Sequence, residues 1–262
     1  MLFFQTGLVG NIITTYGLSG GAVYAVWGVA LLLCVLISYL LGSLNFAIII
    51  SRLVYKEDIR TYGSGNAGAT NMLRTYGKGA AAATFLGDIM KTVVAVLFGT
   101  LTLGFFFDGG SIAGFFAVLG HIFPVFSKFR GGKGVSSAAA VAILMNVNSL
   151  EGLLLIAILL FIFVVIVVGT KYVSLGSVVT FLMYPLLQSK MNGALRFLNE
   201  AGETVERTRG VLVIFAFLTA VIIAVKHLPN LKRIRAGEES KISFKKTSKK
   251  KIEPESTPED TE

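Results

Sequence analysis

The sequence predicts an all-α, polytopic membrane protein, a seven-transmembrane-helix bundle with its amino terminus outside and its carboxy terminus inside. Three observations lead there. Hydrophobic residues make up 54% of the 262 and charged ones only 15%, with a mean hydropathy of +0.73; a soluble core of this length could not hide so much apolar surface. The apolar runs are about as long as the ~20 residues a helix needs to cross the hydrocarbon core, and they lack the alternation of barrel strands. Finally, the lysines and arginines gather at the ends of the runs and near the carboxy end. That distribution makes a membrane surface, not nucleic acid, the natural partner of the net positive charge.

Hydropathy and punctuation place the spans near 24–51, 80–107, 111–126, 135–149, 152–169, 173–189 and 210–226. The first is long and interrupted by Gly42-Ser43-Leu44-Asn45, which marks a kink or a switch to an interfacial helix. The first charged residue is Arg52; without a basic segment before it, this run is expected to remain a span and not to be cleaved as a signal peptide. Asp108-Gly109-Gly110 and Ser149-Leu150-Glu151 are short enough to be hairpin turns between spans. Three regions follow. Residues 1–23 form an amino-terminal extension, glycine-rich, apolar and suited to the interface, and residues 24–235 form the membrane domain. Residues 236–262 form a charged tail, basic and then acidic, expected to be disordered and weakly drawn to anionic headgroups. The one cysteine, Cys34, lies inside an apolar run, so no internal disulfide is available.

An odd number of spans separates the termini. With the amino end outside, one face collects Arg52, Lys56, Arg60, Arg74, Lys78, Lys128, Arg130, Lys133, Lys171 and the basic residues from Lys226 to Lys251, while the other holds Lys190, Arg196, Arg207 and Arg209. The positive-inside rule makes the rich face cytoplasmic.

On that face lies "FRGGKGVSS", residues 129–137. Lys133 opens a helix whose first turn is Gly134-Val135-Ser136-Ser137. Free amides at a helix start, the positive end of the dipole and one ammonium make an anion site, most naturally for phosphate. The pattern is not a Walker A loop, so nucleotide hydrolysis is not implied. The alternative is a tight re-entry with a snorkelling lysine. A second stretch, "DIRTYGSGNAGATNMLRTYGKG" at 58–79, crowds Ser64, Asn66, Thr70 and Asn71 among glycines between Arg60 and Arg74. Such a polar loop beside hydrocarbon must satisfy its backbone within the protein or around a ligand. Arg74 suits a bidentate grip on phosphate, whereas Arg60 reads as an interfacial anchor.

Weaker signals sit at neighbouring helix ends. Ser174 and Ser177, three apart, share one side of a first turn, where they face an anion or bond to a nearby backbone carbonyl. His227 and Asn230 stand where the last span leaves the membrane. Asp88 and Lys91 lie three apart inside a span, where pairing with each other is the economical reading.

These stretches resemble the bacterial acyl-phosphate:glycerol-3-phosphate acyltransferases. "GSGNAGATN" at 63–71, "GHIFPVFSKFRGGKGV" at 120–135 and "KYVSLGS" at 171–177 match three family motifs, and "KHLPNLKRIRAGEE" matches its His-x-x-Asn ending. The similarity spans about 39–239. It implies a seven-span bundle in the bacterial cytoplasmic (inner) membrane, its active site facing the cytoplasm. The implied reaction moves a fatty acyl group from acyl phosphate to the 1-hydroxyl of sn-glycerol 3-phosphate, as a first step of phospholipid biosynthesis. Carried over by position, Lys133, Arg74 and Ser64 would act in catalysis. Gly131, Gly132 and Gly134 would hold phosphate, and Gly65, Asn66 and Asn71 would contact substrate. Ser174 or Ser177 would line the polar pocket, while His227 and Asn230 would orient glycerol phosphate. Lys171 departs from the family's usual arginine, keeping the charge but not a planar grip. The lengths at both ends also exceed the family's usual core.

The implied chemistry suits these residues. Acyl phosphate is already activated, so the protein has mainly to position two anions and stabilise charge on the carbonyl oxygen. His121 and His227 are the histidines near enough to take a proton, but position 126 is Phe, so the His-x-x-x-x-Asp pairing of acyl-CoA-dependent enzymes is absent. A phosphate oxygen of the substrate is the expected proton acceptor. No cofactor is expected, and two histidines, one cysteine and no clustered carboxylates near the glycine loops offer no metal ligand set. Expected partners are acyl phosphate, glycerol 3-phosphate and the bilayer, with a monomer favoured. An organic-phosphate transporter would also use broken helices, yet no pair of interrupted spans suggests an inverted repeat. A lipid-binding scaffold would explain the basic tail but not the glycine motifs.

Overall fold

The computed structural model describes residues 2–104, 108–191, 194–198 and 204–242. Among them the helices are α1 (Leu2–Thr15), α2 (Gly21–Gly42), α3 (Phe46–Val54), α4 (Ala69–Tyr76), α5 (Lys78–Leu103), α6 (Gly109–Ile122), α7 (Val135–Asn146), α8 (Leu150–Thr170), α9 (Val173–Met191) and α10 (Gly210–Arg235). Among the described residues, five segments are long and apolar enough to cross a membrane: α2, α5, Gly109–Ser127, α8 and α10.

The seven expected spans are therefore not all matched. The run expected at 135–149 yields only the 12 residues of α7; at 1.5 Å per residue it falls well short of the ~30 Å hydrocarbon core. The run expected at 173–189 yields α9, which is 19 residues long but contains Pro185 and buries Ser174, Ser177, Thr180 and Gln188. Its polar side chains turn inward, as they must where lipid offers no hydrogen bonds.

The long first run divides at the expected interruption, α2 ending at Gly42 and α3 starting at Phe46. A break at this depth exposes backbone groups, and each needs a protein partner. Asn45 caps α3 by accepting from the Ile48 amide at 3.1 Å, and the Lys91 ammonium donates to the Leu44 carbonyl at 2.7 Å. Asn45 also donates to Ala67 O at 3.2 Å, tying the break to the first glycine-rich loop.

Helix α6 is central, packing on α2, α5, α7 and α10. Its crossing with α2 depends on small residues: a Cβ on Gly42 would strike the Ala117 backbone, and one on Gly120 would strike Tyr39 O and the Ser43 amide. On its other side Val118 and Ile122 join Leu155, Phe181, Tyr184 and Ile223 in the main core. Within the amino-terminal extension, α1 docks on α5 and α2 with Val9 only 2% exposed.

Two features depart from expectation. Between α9 and α10 the backbone forms an antiparallel hairpin, β1 (Ala194–Leu198) and β2 (Thr204–Thr208), with Ala194 opposite Thr208. The bundle itself is all-helical, as expected; in this one connector a two-stranded ladder satisfies amides that no helix includes. The second departure is at the start of the expected tail. After α10, Gly237 takes a left-handed conformation with φ 75°, and the amides of Glu238 and Glu239 return to Arg233 O at 2.8 and 3.2 Å. Glycine ends the helix here because it enters that region without a Cβ clash. The chain then folds back until Ile242 N donates to Lys171 O at 2.8 Å. Residues 243–262, the rest of the expected tail, lie outside the described residues.

Candidate active site

Three helix starts meet at one cavity of about 210 Å³. Helix α4 contributes Gly68, Ala69 and Thr70, helix α7 contributes Gly134, Val135 and Ser136, and helix α9 contributes Val173 and Ser174. Neither α4 nor α7 has a side-chain cap, so their first amides are available to a ligand. The sequence points to two of these starts. Their convergence with a third is a tertiary result.

Two cations complete the positive lining, Arg74 from the last turn of α4 and Lys133 just before α7. The Lys133 ammonium donates to Asn230 Oδ1. Burial, reinforced by the charges of Arg233 and Arg74 and opposed by Glu239, pushes its pKa down from 10.5 to about 8. Burial likewise lowers Arg74 below the usual guanidinium range, and one of its nitrogens donates to Ser240 O at 3.0 Å.

The carboxylate that answers these cations is Glu239, which sequence reasoning left in the tail. It is 8% exposed and accepts from Asn230 Nδ2 at 2.7 Å, Arg233 Nε at 2.8 Å and Ser174 Oγ at 3.2 Å. Burial alone would raise its pKa, but hydrogen bonds from Asn230 and Arg233 and the charges of Arg233 and Lys133 hold it below the usual carboxylate range. The local signal was present as Gly-Glu-Glu after a helix end, but nothing in the sequence said that this turn comes back to the site.

Most sequence-predicted residues line the cavity: Ser64, Asn66, Asn71, Arg74, Lys133 and Gly134 from the first two motifs, then Ser174, Ser177, His227 and Asn230. Several are already occupied. Asn71, 1% exposed, donates to Tyr62 O at 2.8 Å and Ile59 O at 3.2 Å and accepts from Ser64 N at 3.0 Å. It therefore staples the loop that presents Ser64. Ser177 Oγ donates to Val173 O at 2.9 Å, the backbone alternative the sequence left open. His227 Nδ1 donates to Ile223 O at 2.8 Å.

Gly65, Gly131 and Gly132 do not line the cavity as expected. Gly65 is left-handed, φ 69°, and makes the turn before Asn66 through its amide bond to Tyr62 O at 3.0 Å. Gly131 and Gly132 spend their amides on the end of α6, donating to Ile122 O at 3.3 Å and His121 O at 3.1 Å. A Cβ on Gly131 would meet His121 O and Pro124, and one on Gly132 would meet His121 Nε2 and Ala67 O. These glycines let the loop lie flat on α6; the anion-facing part begins at Lys133.

Arg60, read as an interfacial anchor, braces the two glycine loops instead. It pairs with Asp58 at 2.7 Å and donates to Ser127 O at 3.0 Å and Arg130 O at 3.3 Å. Its hydrogen bond holds the Asp58 carboxyl far below the usual range. Lys171 is left-handed at the end of α8, φ 64°, its carbonyl holding the returning Ile242 amide.

The family model described as Glycerol-3-phosphate acyltransferase matches residues 32–237. A glycerol-3-phosphate acyltransferase of Thermoanaerobacter pseudethanolicus is 42% identical over 213 residues, 81% of this chain and 96% of the relative. One from Staphylococcus aureus is 34% identical over 221 residues, 82% and 98% of the two chains. The crystal structure of PlsY, an integral membrane glycerol 3-phosphate acyltransferase, in its glycerol 3-phosphate form superposes with a TM-score of 0.67 at 29% identity, covering 81% of this chain and 96% of that one.

Proposed function

The chain belongs to the glycerol-3-phosphate acyltransferase family and is an integral membrane enzyme, and we propose that its acyl donor is acyl phosphate. The acyl group passes to the 1-hydroxyl of sn-glycerol 3-phosphate, and 1-acyl-sn-glycerol 3-phosphate (lysophosphatidic acid) and phosphate leave. The observation that carries this reading is the meeting of three helix starts with Lys133 and Arg74 over one cavity. Two phosphorylated reactants repel one another, and this lining offers enough positive potential to hold both. A neighbouring structure captured in a lysophosphatidic acid form, with a TM-score of 0.66 at 26% identity, supports the product.

In this mechanism the hydroxyl oxygen attacks the carbonyl carbon while Lys133 and the amides at the start of α7 stabilise charge on the carbonyl oxygen. The bond from that carbon to the bridging phosphate oxygen then breaks, and phosphate leaves with the electron pair. The hydroxyl proton passes to a phosphate oxygen of the substrate. Asn230, held between Lys133 and Glu239, fixes the ammonium in place, and Ser64, Asn66 and His227 orient glycerol phosphate.

The enzyme acts as a monomer in the bacterial cytoplasmic membrane, with a seven-crossing topology, its amino end outside and its cavity toward the cytoplasm. What supports the orientation is the gathering of basic residues on one face. Purified protein given palmitoyl phosphate and glycerol 3-phosphate should release phosphate and lysophosphatidate in equal amounts, in EDTA as well as without it. Flux of glycerol 3-phosphate across vesicles without acyl transfer would overturn the reading in favour of a transporter.

A further inference from the structure

Beneath the glycine loop, α5 and α6 bury a carboxylate, an ammonium and an imidazole together. Asp88, Lys91 and His121 are 0%, 4% and 2% exposed. The pairing of Asp88 with Lys91 is present at 2.8 Å, but the mechanism above uses none of the three.

Lys91 Nζ donates to Leu44 O at 2.7 Å and meets His121 Nδ1 at 3.0 Å, while its 2.8 Å contact with Asp88 Oδ1 is an ion pair in which the carboxylate oxygens accept no hydrogen bond. An ammonium carries only N–H bonds and accepts none, so in its contact with His121 it is the donor. His121 Nδ1 must then offer its lone pair, which leaves the ring proton on Nε2. The opposite arrangement, Nδ1–H donating to Asp88, has the longer separation of 3.3 Å and would set an N–H against the ammonium. Asp88 and Lys91 also cancel in charge, so an imidazolium beside them would be a buried charge without a counterion. His121 Nε2 lies against Gly132, and the residue lines the cavity next to Lys133.

We propose that Lys91 locks His121 as the neutral Nε2–H tautomer, so that His121 serves the reaction as a hydrogen-bond donor to a substrate oxygen at the cavity floor and not as a proton acceptor. Lys91 and Asp88 are positioning residues acting through it. The donor role rests on the acyl-transfer reading; the tautomer does not.

The chain has two histidines, and His227, donating from Nδ1 to Ile223 O, supplies the opposite tautomer as an internal reference. Nitrogen NMR of the full chain labelled at histidine, in detergent at neutral pH, should show two neutral rings, one protonated on each kind of nitrogen. The Nε2–H set should vanish in His121→Gln. Finding the His121 proton on Nδ1, or on both nitrogens, overturns the proposal. In a Lys91→Met, Asp88→Asn double variant, which keeps the site neutral, the His121 signals should become a mixture of tautomers; an unchanged single tautomer would remove Lys91 from the account.

Turnover gives the second arm. His121→Gln keeps an N–H where Nε2 stood but cannot accept a proton as imidazole does, so it should stay within about ten-fold of the parent kcat, whereas His121→Ala should lose about 10²-fold or more. Equal inactivity of the two variants, with unchanged thermal midpoints, would refute the donor role. If the parent chain itself fails to transfer acyl groups, the acyl-transfer reading falls and the donor role with it, while the nitrogen signals still decide the tautomer.

Discussion

The Lys133 ammonium donates to the side-chain oxygen of Asn230, 97 positions further along the chain. Through the other end of the same amide, Asn230 donates to Glu239 at 2.7 Å. The lysine of one glycine motif is thus aimed by the last turns of α10 and the segment that folds back after it.

Lys133→Met should insert in the membrane and fold, yet lose about 10³-fold or more in kcat/KM, because the methionine keeps the stem and removes the charge. Steady-state kinetics on detergent-purified protein checks this. A variant keeping most of its rate would remove Lys133 from the anion site.

Because burial places the Lys133 pKa at about 8, the empty site should lose its cation as pH rises through that value. The expected sign is a fall in kcat/KM for glycerol 3-phosphate on the alkaline side, with a midpoint near 8. Lysine's ordinary pKa is higher, so between about 8 and 10.5 the unfolded chain binds more protons, and this group makes stability rise with pH. Activity and stability should therefore move in opposite directions across that window. An alkaline limb beyond pH 10 would contradict the assignment.

Gly132→Ala should act through packing. Its Cβ would meet His121 Nε2 and Ala67 O, at a cost of about 1–3 kcal/mol for overpacking, and would displace the neighbouring Lys133. A lowered thermal midpoint together with a raised KM is expected. A kinetic defect with an unchanged midpoint would restore the direct phosphate role first read from the sequence.

Glu239→Ala should destabilise the fold by about 2 kcal/mol or more, since it strands Asn230 and Arg233 beside two further cations. Glu239→Gln, retaining an acceptor for Asn230, should recover part of the loss. Thermal unfolding of both variants decides between this and a merely solvated turn.

His227→Ala should lower kcat by about 10- to 100-fold, the loss expected from misplacing glycerol phosphate rather than from removing a base. A drop of more than ~10³ in kcat with unchanged substrate affinity would make His227 the base and displace the substrate-assisted step.

Much of this protein was legible in the sequence. Hydropathy and punctuation are local properties, so the apolar helices, the break at Gly42–Asn45 and the placement of Lys133 and Gly134 at the start of α7 could be read directly. Hydropathy alone does not show that α7 stops after 12 residues or that the polar side of α9 turns inward. Three relationships required the folded chain. The starts of α4, α7 and α9 meet at one cavity, Gly131 and Gly132 lie on the end of α6, and Glu239 returns from beyond α10 to answer Lys133. Each joins segments far apart along the chain, and their proximity depends on how helices cross: on the missing Cβ atoms of Gly42 and Gly120, and on the demand that every buried polar group find a partner where lipid provides none.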